Sequence, residues 1–262
     1  MEIIDFHAHI YPQKIAEKAV KAVGDFYTIK MDTDGTPDAL LRECKKAGVS
    51  RCLVQSVATG AAQVEKINDF IAEQCRLHPE FIGFGTMHAV FEDPEKEISR
   101  MISMGLRGIK IHPDTQAFDM DDPRIMRVYE LAEGRLPVLL HCGDYRYDYS
   151  HPRRLQNVVD TFPKLTVIGA HFGGWSLWDL AMEYLLDRGC YLDCSSSLMY
   201  LGKVRSKEII RAYGADRILF GTDFPMWTHT EELKRVAELG LTETETEKIL
   251  SKNAKRILSE SD

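Results

Sequence analysis

Three features of this sequence predict an α/β chain wound as one (β/α)8 barrel. Short apolar runs recur eight times, stretches with helical spacing separate them, and eight such units fill 262 residues, the usual size of that barrel. Several runs are continuous instead of alternating, among them Pro137-Val138-Leu139-Leu140 and Val167-Ile168-Gly169-Ala170, as expected of parallel strands covered on both faces. A doubly wound open sheet uses the same units, but no Gly-x-Gly-x-x-Gly turn follows the first run, and the barrel is preferred.

In chain order, the first strand is Glu2 to Phe6, ending in Asp5-Phe6-His7-Ala8-His9. Strict alternation along it sends Asp5, His7 and His9 to one side. Pro12 to Val23 follows, then Gly24 to Gly35 with Asp32, Thr33, Asp34 and Gly35 as turn formers, then a helix from Pro37 to Ala47 closed by Gly48. The remaining strands are expected at Arg51 to Val57, Phe81 to Met87, Leu106 to Ile111, Leu136 to His141, Leu165 to Ala170, Cys190 to Cys194 and Ile218 to Phe220. Between them, sets such as Val64, Ile67, Phe70, Ile71, Ala72 and Cys75 repeat at the helical period. Thr242 to Leu258 reads as one more helix, capped by Thr242, with Ile249, Leu250, Ala254, Ile257 and Leu258 on its apolar side. No linker interrupts the pattern, so residues 1–262 are read as a single domain with an extra C-terminal helix.

Composition removes several function classes. A net charge of −7 spread without long like-charge blocks gives no footprint for nucleic acid or an anionic membrane. No apolar run approaches the roughly 20 residues that span a bilayer, and the N-terminus enters a strand directly; the expected location is cytoplasmic. Cys52, Cys142, Cys190 and Cys194 sit inside apolar runs, where free cysteine acts as a small hydrophobe, and all six cysteines are read as thiols. Cys190 and Cys194 lie about 13 Å apart if both are on one strand, too far to share an ion.

The polar residues collect where strands end. In a (β/α)8 barrel the active site lies at the carboxyl ends of the strands. Strand 1 ends in His7 and His9, strand 4 in Lys110-Ile111-His112-Pro113, strand 5 in His141-Cys142-Gly143-Asp144, strand 6 in His171, and strand 8 in Gly221-Thr222-Asp223. One histidine at a strand end is ordinarily a hydrogen-bonded structural residue; several at one mouth are another matter. His7, His9, His141 and Asp223 would surround a single point, offering three nitrogens and a carboxylate with room for water, a catalytic metal site. The donors suit Zn2+ best, with Mn2+, Fe2+ and Co2+ using the same set.

Asp-Phe-His-Ala-His on strand 1, Ile109-Lys110-Ile111-His112-Pro113, Leu139-Leu140-His141-Cys142-Gly143-Asp144, Gly169-Ala170-His171-Phe172-Gly173-Gly174, Gly221-Thr222-Asp223-Phe224-Pro225 and the ending Asn253-Ala254-Lys255-Arg256-Ile257-Leu258 together resemble the amidohydrolase superfamily. The nearest branch is the amidohydrolase-related group that includes aminocarboxymuconate semialdehyde and hydroxybenzoate decarboxylases. The resemblance runs over nearly the whole chain. It implies one divalent metal held by His7, His9, His141 and Asp223, with His171 a catalytic neighbour or a ligand to a second metal. Binuclear relatives carry a carboxylated lysine late in strand 4, so a second metal shared by Lys110, His141 and His171 is allowed; Lys110 reads equally as a substrate anchor or a buried, paired lysine, and His112 as a second-metal or substrate-binding residue.

Metal-activated water implies hydrolysis of an amide, ester or lactone bond, with Asp223 moving the proton and His171 bonding the polarised oxygen. Tyr145 and Arg146 in the loop after strand 5, with Trp175 after strand 6, suggest recognition of a small carboxylate-bearing molecule, because guanidinium binds carboxylate in a bidentate way; a packed, solvated loop is the competing reading. The alternative activity is non-oxidative decarboxylation of an aromatic or unsaturated acid, set second because such enzymes usually have longer chains. A phosphoesterase is disfavoured by the acidic charge and the missing glutamate at the end of strand 4. A non-catalytic metal-binding barrel would be expected to have lost a ligand, and none is lost. Oligomeric state is not readable from these residues; a homodimer is a common outcome for closed symmetric assemblies.

Overall fold

The computed structural model describes residues 1–31 and 33–260; Asp32, one of the expected turn formers, lies outside the described residues. Eight parallel strands follow one another in sequence order: β1 (Ile4–His9), β2 (Arg51–Gln55), β3 (Phe81–Thr86), β4 (Gly108–Ile111), β5 (Val138–Leu140), β6 (Val167–Gly169), β7 (Tyr191–Asp193) and β8 (Ile218–Leu219). Closure comes from Phe6 N donating to Phe220 O at 2.8 Å, Asp223 N to His7 O at 2.7 Å and His9 N to Phe224 O at 2.6 Å. The result is the (β/α)8 barrel expected from the sequence. Most strands are shorter than their apolar runs: β4 drops Leu106 and Arg107 at its start, and β5 and β6 lose residues at both ends, leaving His141 and Ala170 beyond the strand.

Around them lie α1 (Ala16–Tyr27), α2 (Pro37–Ala47), α3 (Val64–Leu77), α4 (Pro94–Ser103), α5 (Pro113–Gln116), α6 (Pro123–Ala132), α7 (Pro152–Thr161), α8 (Trp178–Leu185), α9 (Leu198–Tyr213) and α10 (His229–Glu238). The boundaries follow local chemistry. Thr36 caps α2 by accepting from Ala39 N, Pro37 opens it, and Gly48 closes it with φ 73°. Thr228 and Glu231 form a capping box on α10. Gly24, placed by sequence at the start of a loop, lies inside α1; its carbonyl accepts from the helix-closing residues, and a Cβ there would meet Ile29 O at 2.7 Å. The absent side chain lets the returning chain cross the helix.

The barrel interior is apolar at its lower end. Ile4, Phe6, Leu53, Ile82, Phe84, Leu139, Ile168 and Leu219 form one buried cluster. Phe6 and Phe84 meet edge to face with ring centres 5.8 Å apart; burying a ring of that size contributes about 1.5–3 kcal/mol. Phe84 lies over Gly108, where a Cβ would come within 2.3 Å of the ring. The chain then plugs the bottom. The expected final helix is present as α11 (Glu243–Glu247), a π turn (Lys248–Lys252) and α12 (Asn253–Ile257), with Thr242 and Glu245 as its capping box. Ala254 and Leu258 complete the interior cluster from below. Among the described residues no helix is long and apolar enough to cross a membrane.

Strand β1 departs from regular alternation in a way that shapes the site. Asp5 pairs with Cys52 and Ala8 with Val54, so three steps on β1 match two on β2. One extra residue is therefore inserted, a bulge. Parity changes across it: Ala8, Cys52 and Val54 all belong to the outer core, while His7 and His9 turn inward. The expectation that Asp5 shares their side is corrected by this bulge. Asp5 instead accepts bonds from His7 N and from Thr222 N and Oγ1, and its Oδ2 lies 2.9 Å from His229 Nε2.

Candidate metal centre

His7 is fully buried on β1, and its Nδ1 lies 2.8 Å from Asp193 Oδ2. A carboxylate only accepts, so Nδ1 carries the proton and Nε2 presents its lone pair to the barrel mouth. There Nε2 is 3.2 Å from His9 Nε2 and 3.4 Å from Asp223 Oδ1, and His9 Nε2 is 3.5 Å from the same oxygen. Two nitrogens and a carboxylate oxygen thus converge, as a divalent cation requires. Asp223 is positioned by a turn with φ 61° and by Ser196 Oγ, which donates to its Oδ2 at 2.6 Å. His171 also sits in the left-handed region, at φ 59°. Backbone of this kind is sparsely populated and persists where the surroundings fix it, often at active sites.

His171 and His141 form a second convergence. His171 Nδ1 lies 3.0 Å from Ser195 O, so that nitrogen is protonated and Nε2 is bare. His141 Nε2 faces Gly143 O at 3.2 Å and Asp114 Oδ2 at 3.4 Å, so it too carries its proton on that side. The remaining nitrogens, His141 Nδ1 and His171 Nε2, then face each other lone pair to lone pair at 3.0 Å. Only a proton or a cation between them makes that approach favourable. The donors on both sides of the mouth therefore fit a bound divalent ion.

Electrostatics keep these donors available. Burial, then the nearby Lys110 ammonium and neighbouring imidazoles, push His7, His9, His112 and His141 well below the ordinary histidine range, and burial brings His171 down to about 4. The imidazoles are neutral near pH 7. Burial raises the Asp223 carboxyl to about 7, against the pull of Ser196 and Lys110. Lys110 is fully buried and drawn down to about 8 by desolvation; its Nζ stands 3.2 Å from His7 Nε2.

A cavity of about 780 Å3 opens above this floor. His7, His9, His112, His141, His171 and Asp223 all line it, and the wall is largely apolar, with Ile15, Val23, Phe26, Ile67 and Phe70. His112 stacks on His141 at 3.7 Å and accepts or donates a 2.9 Å bond with Tyr27 Oη. Lys110 is not on the cavity wall; it reaches His7 from within the barrel. Tyr145, Arg146 and Trp175 are also absent from the wall. Tyr145 is 73% exposed, Trp175 packs edge-on against Tyr27 at 5.3 Å, and the Arg146 guanidinium is committed to Asp144 and Phe26 O while lying 4.7 Å over the Phe26 ring. Arg146 thus braces the wall residue Phe26 and leaves no fork free for a ligand. Gln116 and Trp227 are used internally as well, Gln116 on Ala58 O and Met87 O, and Trp227 on Ser196 Oγ.

Five contributors escaped the sequence reading: Asp193, Ser195, Ser196, Asp114 and Tyr27. Asp193 closes β7 at the same end as every other site residue, so the strand-end rule that found His141 would have found it. Tyr27 carries no such signal, since it arrives from α1.

The amidohydrolase family model matches residues 4–259. Among solved structures, the chain is similar to an uncharacterised TIM-barrel protein from Bordetella bronchiseptica, with TM-score 0.79, 21% identity and 99% of each chain covered. It is similar to 2,6-dihydroxybenzoate decarboxylase from Rhizobium, with TM-score 0.75, 19% identity and 99% of each chain covered. A third is a dihydroxybenzoic acid decarboxylase from a Polaromonas species with bound manganese and the inhibitor 2-nitroresorcinol, with TM-score 0.74 and 18% identity, covering 98% of this chain and 97% of that one.

Proposed function

This chain belongs to the amidohydrolase family, and from that premise we propose that it is a divalent-metal-dependent carboxy-lyase, releasing carbon dioxide non-oxidatively from a small aromatic or unsaturated carboxylic acid. The observation that carries the reading is the cavity itself, an apolar wall ending on His7, His9 and Asp223. Such a wall suits a flat unsaturated body, and such a floor suits its carboxylate and a neighbouring oxygen. Two of the similar structures are decarboxylases of dihydroxybenzoates by name.

His7, His9 and Asp223 would hold the ion, with His141 and His171 beside it. The bound ion would supply electrostatic stabilisation of the substrate's oxygens as the carbon–carbon bond breaks. The electron pair of that bond stays on carbon, which takes a proton as carbon dioxide leaves. Asp223 is placed to deliver it, since Ser196 fixes Oδ2 so that Oδ1 faces the site. Asp193 fixes the ring of His7 and Ser195 that of His171. Lys18 and Lys66 on the wall favour entry of an anion. Manganese bound in the Polaromonas structure is the reason to load Mn2+ as well as Zn2+.

Hydrolysis is the second reading, supported by the family and by the same donors. Set against chain length are the similar structures, two of them decarboxylases by name that match over 98–99% of this chain. The test is incubation of Mn2+- and Zn2+-loaded protein with hydroxybenzoic and unsaturated acids alongside their esters, amides and lactones. Metal-dependent carbon dioxide release from the acids supports the proposal; release of acid from the esters, amides or lactones alone overturns it in favour of hydrolysis.

A further inference from the structure

A cluster of polar side chains lies outside the mouth, between the barrel and the helix layer. Cys44 comes from the last turn of α2, Cys52 from β2, His229 from the start of α10 and Asp5 from β1. His229 and Asp5 are fully buried, Cys52 is 1% exposed and Cys44 6%. His229 Nε2 lies 3.7 Å from each sulfur and 2.9 Å from Asp5 Oδ2, and the two sulfurs are 2.7 Å apart. No step of the proposed chemistry uses any of these four groups.

We propose that Cys44, Cys52 and His229 form a second metal site, for a thiophilic divalent cation such as Zn2+, separate from the barrel mouth and structural in role. Thiolate and imidazole are the donors that select such an ion. Bonds of about 2.3 Å to sulfur and 2.0–2.1 Å to nitrogen space sulfur from nitrogen by about 3.6 Å in a tetrahedron, the separation already present. They space the two sulfurs by about 3.8 Å, so the thiols part by about 1 Å when the ion enters. The surroundings favour positive charge at this point: burial opposes it, yet bonds to Asp5 and Cys44 raise the His229 imidazole to about 10, and bonding from Cys52 lowers the Cys44 thiol to about 7. A cation bound there replaces the protons and ties α2 and α10 to the barrel wall. Loading the ion takes His229 Nε2 from Asp5 Oδ2, which keeps the bond it accepts from Thr222 Oγ1. A disulfide is the competing fate of two close thiols, and thiol counting separates the two.

The inference is independent of the reaction assigned to the mouth. The test is reconstitution of chelator-stripped full-length protein with Co2+, followed by absorption spectroscopy, metal analysis and thiol counting. Sulfur-to-cobalt charge transfer is expected in the near ultraviolet, a band that the nitrogen and oxygen donors of the mouth cannot give. Cys44→Ser and Cys52→Ser should each abolish the band and lower the metal content by one per chain, while His9→Gln keeps the band. His229→Gln, read alongside with circular dichroism to confirm folding, should weaken or shift it. Absence of the band in wild-type protein with six free thiols overturns the proposal, as does a Cys44–Cys52 cross-linked peptide in the protein as purified.

Discussion

Asp193 Oδ2 stands 2.8 Å from His7 Nδ1, and the other oxygen of the same carboxylate accepts from His171 N and Ser195 N. One buried group on β7 therefore orients donors from β1 and β6. Outer carboxylates of this kind typically account for 10–100-fold in metal affinity. Asp193→Ala is expected to weaken metal binding at the mouth by about that factor, measured by competitive titration against a chromophoric chelator. Unchanged affinity would remove Asp193 from the support of the site.

Asp223→Asn tests proton delivery. Asparagine tolerates the left-handed backbone that φ 61° demands, so stability should change by no more than about 1 kcal/mol. Metal content should largely survive, whereas turnover should fall by about 10²-fold or more. Carbon dioxide release at or near the wild-type rate would sink the assignment.

Arg146→Ala separates bracing from binding. With its guanidinium on Asp144 and Phe26 O, the arginine is expected to contribute about 1–2 kcal/mol to stability and little to substrate affinity. Thermal unfolding should drop while KM for an acidic substrate moves by less than about threefold, under 1 kcal/mol. A large rise in KM at unchanged stability would restore Arg146 to the substrate.

Stability should also carry a pH signature away from the mouth. Glu232 on α10 is 1% exposed, and burial, opposed by Arg235, raises its carboxyl to about 7. The folded state holds that proton more tightly than the unfolded one. Its contribution is thus fully present below about pH 4.5 and is lost as pH rises through about 7, a swing of up to about 3 kcal/mol. Glu232→Gln, which does not titrate, should gain that much on wild type between pH 4.5 and 8 in urea unfolding. A constant difference across that range would show that Glu232 titrates normally.

The barrel was legible because its signal is repetitive. Eight apolar runs with helical spacers leave few alternatives, and the residues closing runs 1, 4, 5, 6 and 8 all reach one mouth. What stayed hidden depends on local geometry or on long-range contact. The bulge between Asp5 and Ala8 breaks an alternation that the letters alone suggest is intact. Arg146 looked free until Asp144, two residues earlier, claimed it. Tyr27 reaches His112 from a helix 85 residues away in sequence, and no periodicity announces that meeting.

The cavity wall draws its largest share of residues from 11–31, including Ile15, Lys18, Ala19, Val23, Phe26 and Tyr27, while the donors of the floor come from strand ends far apart in the sequence. Reactivity and selectivity are therefore written in different places. The one segment between the first strand and α2 sets much of the shape a ligand meets, and through Tyr27 it also reaches the histidines of the floor.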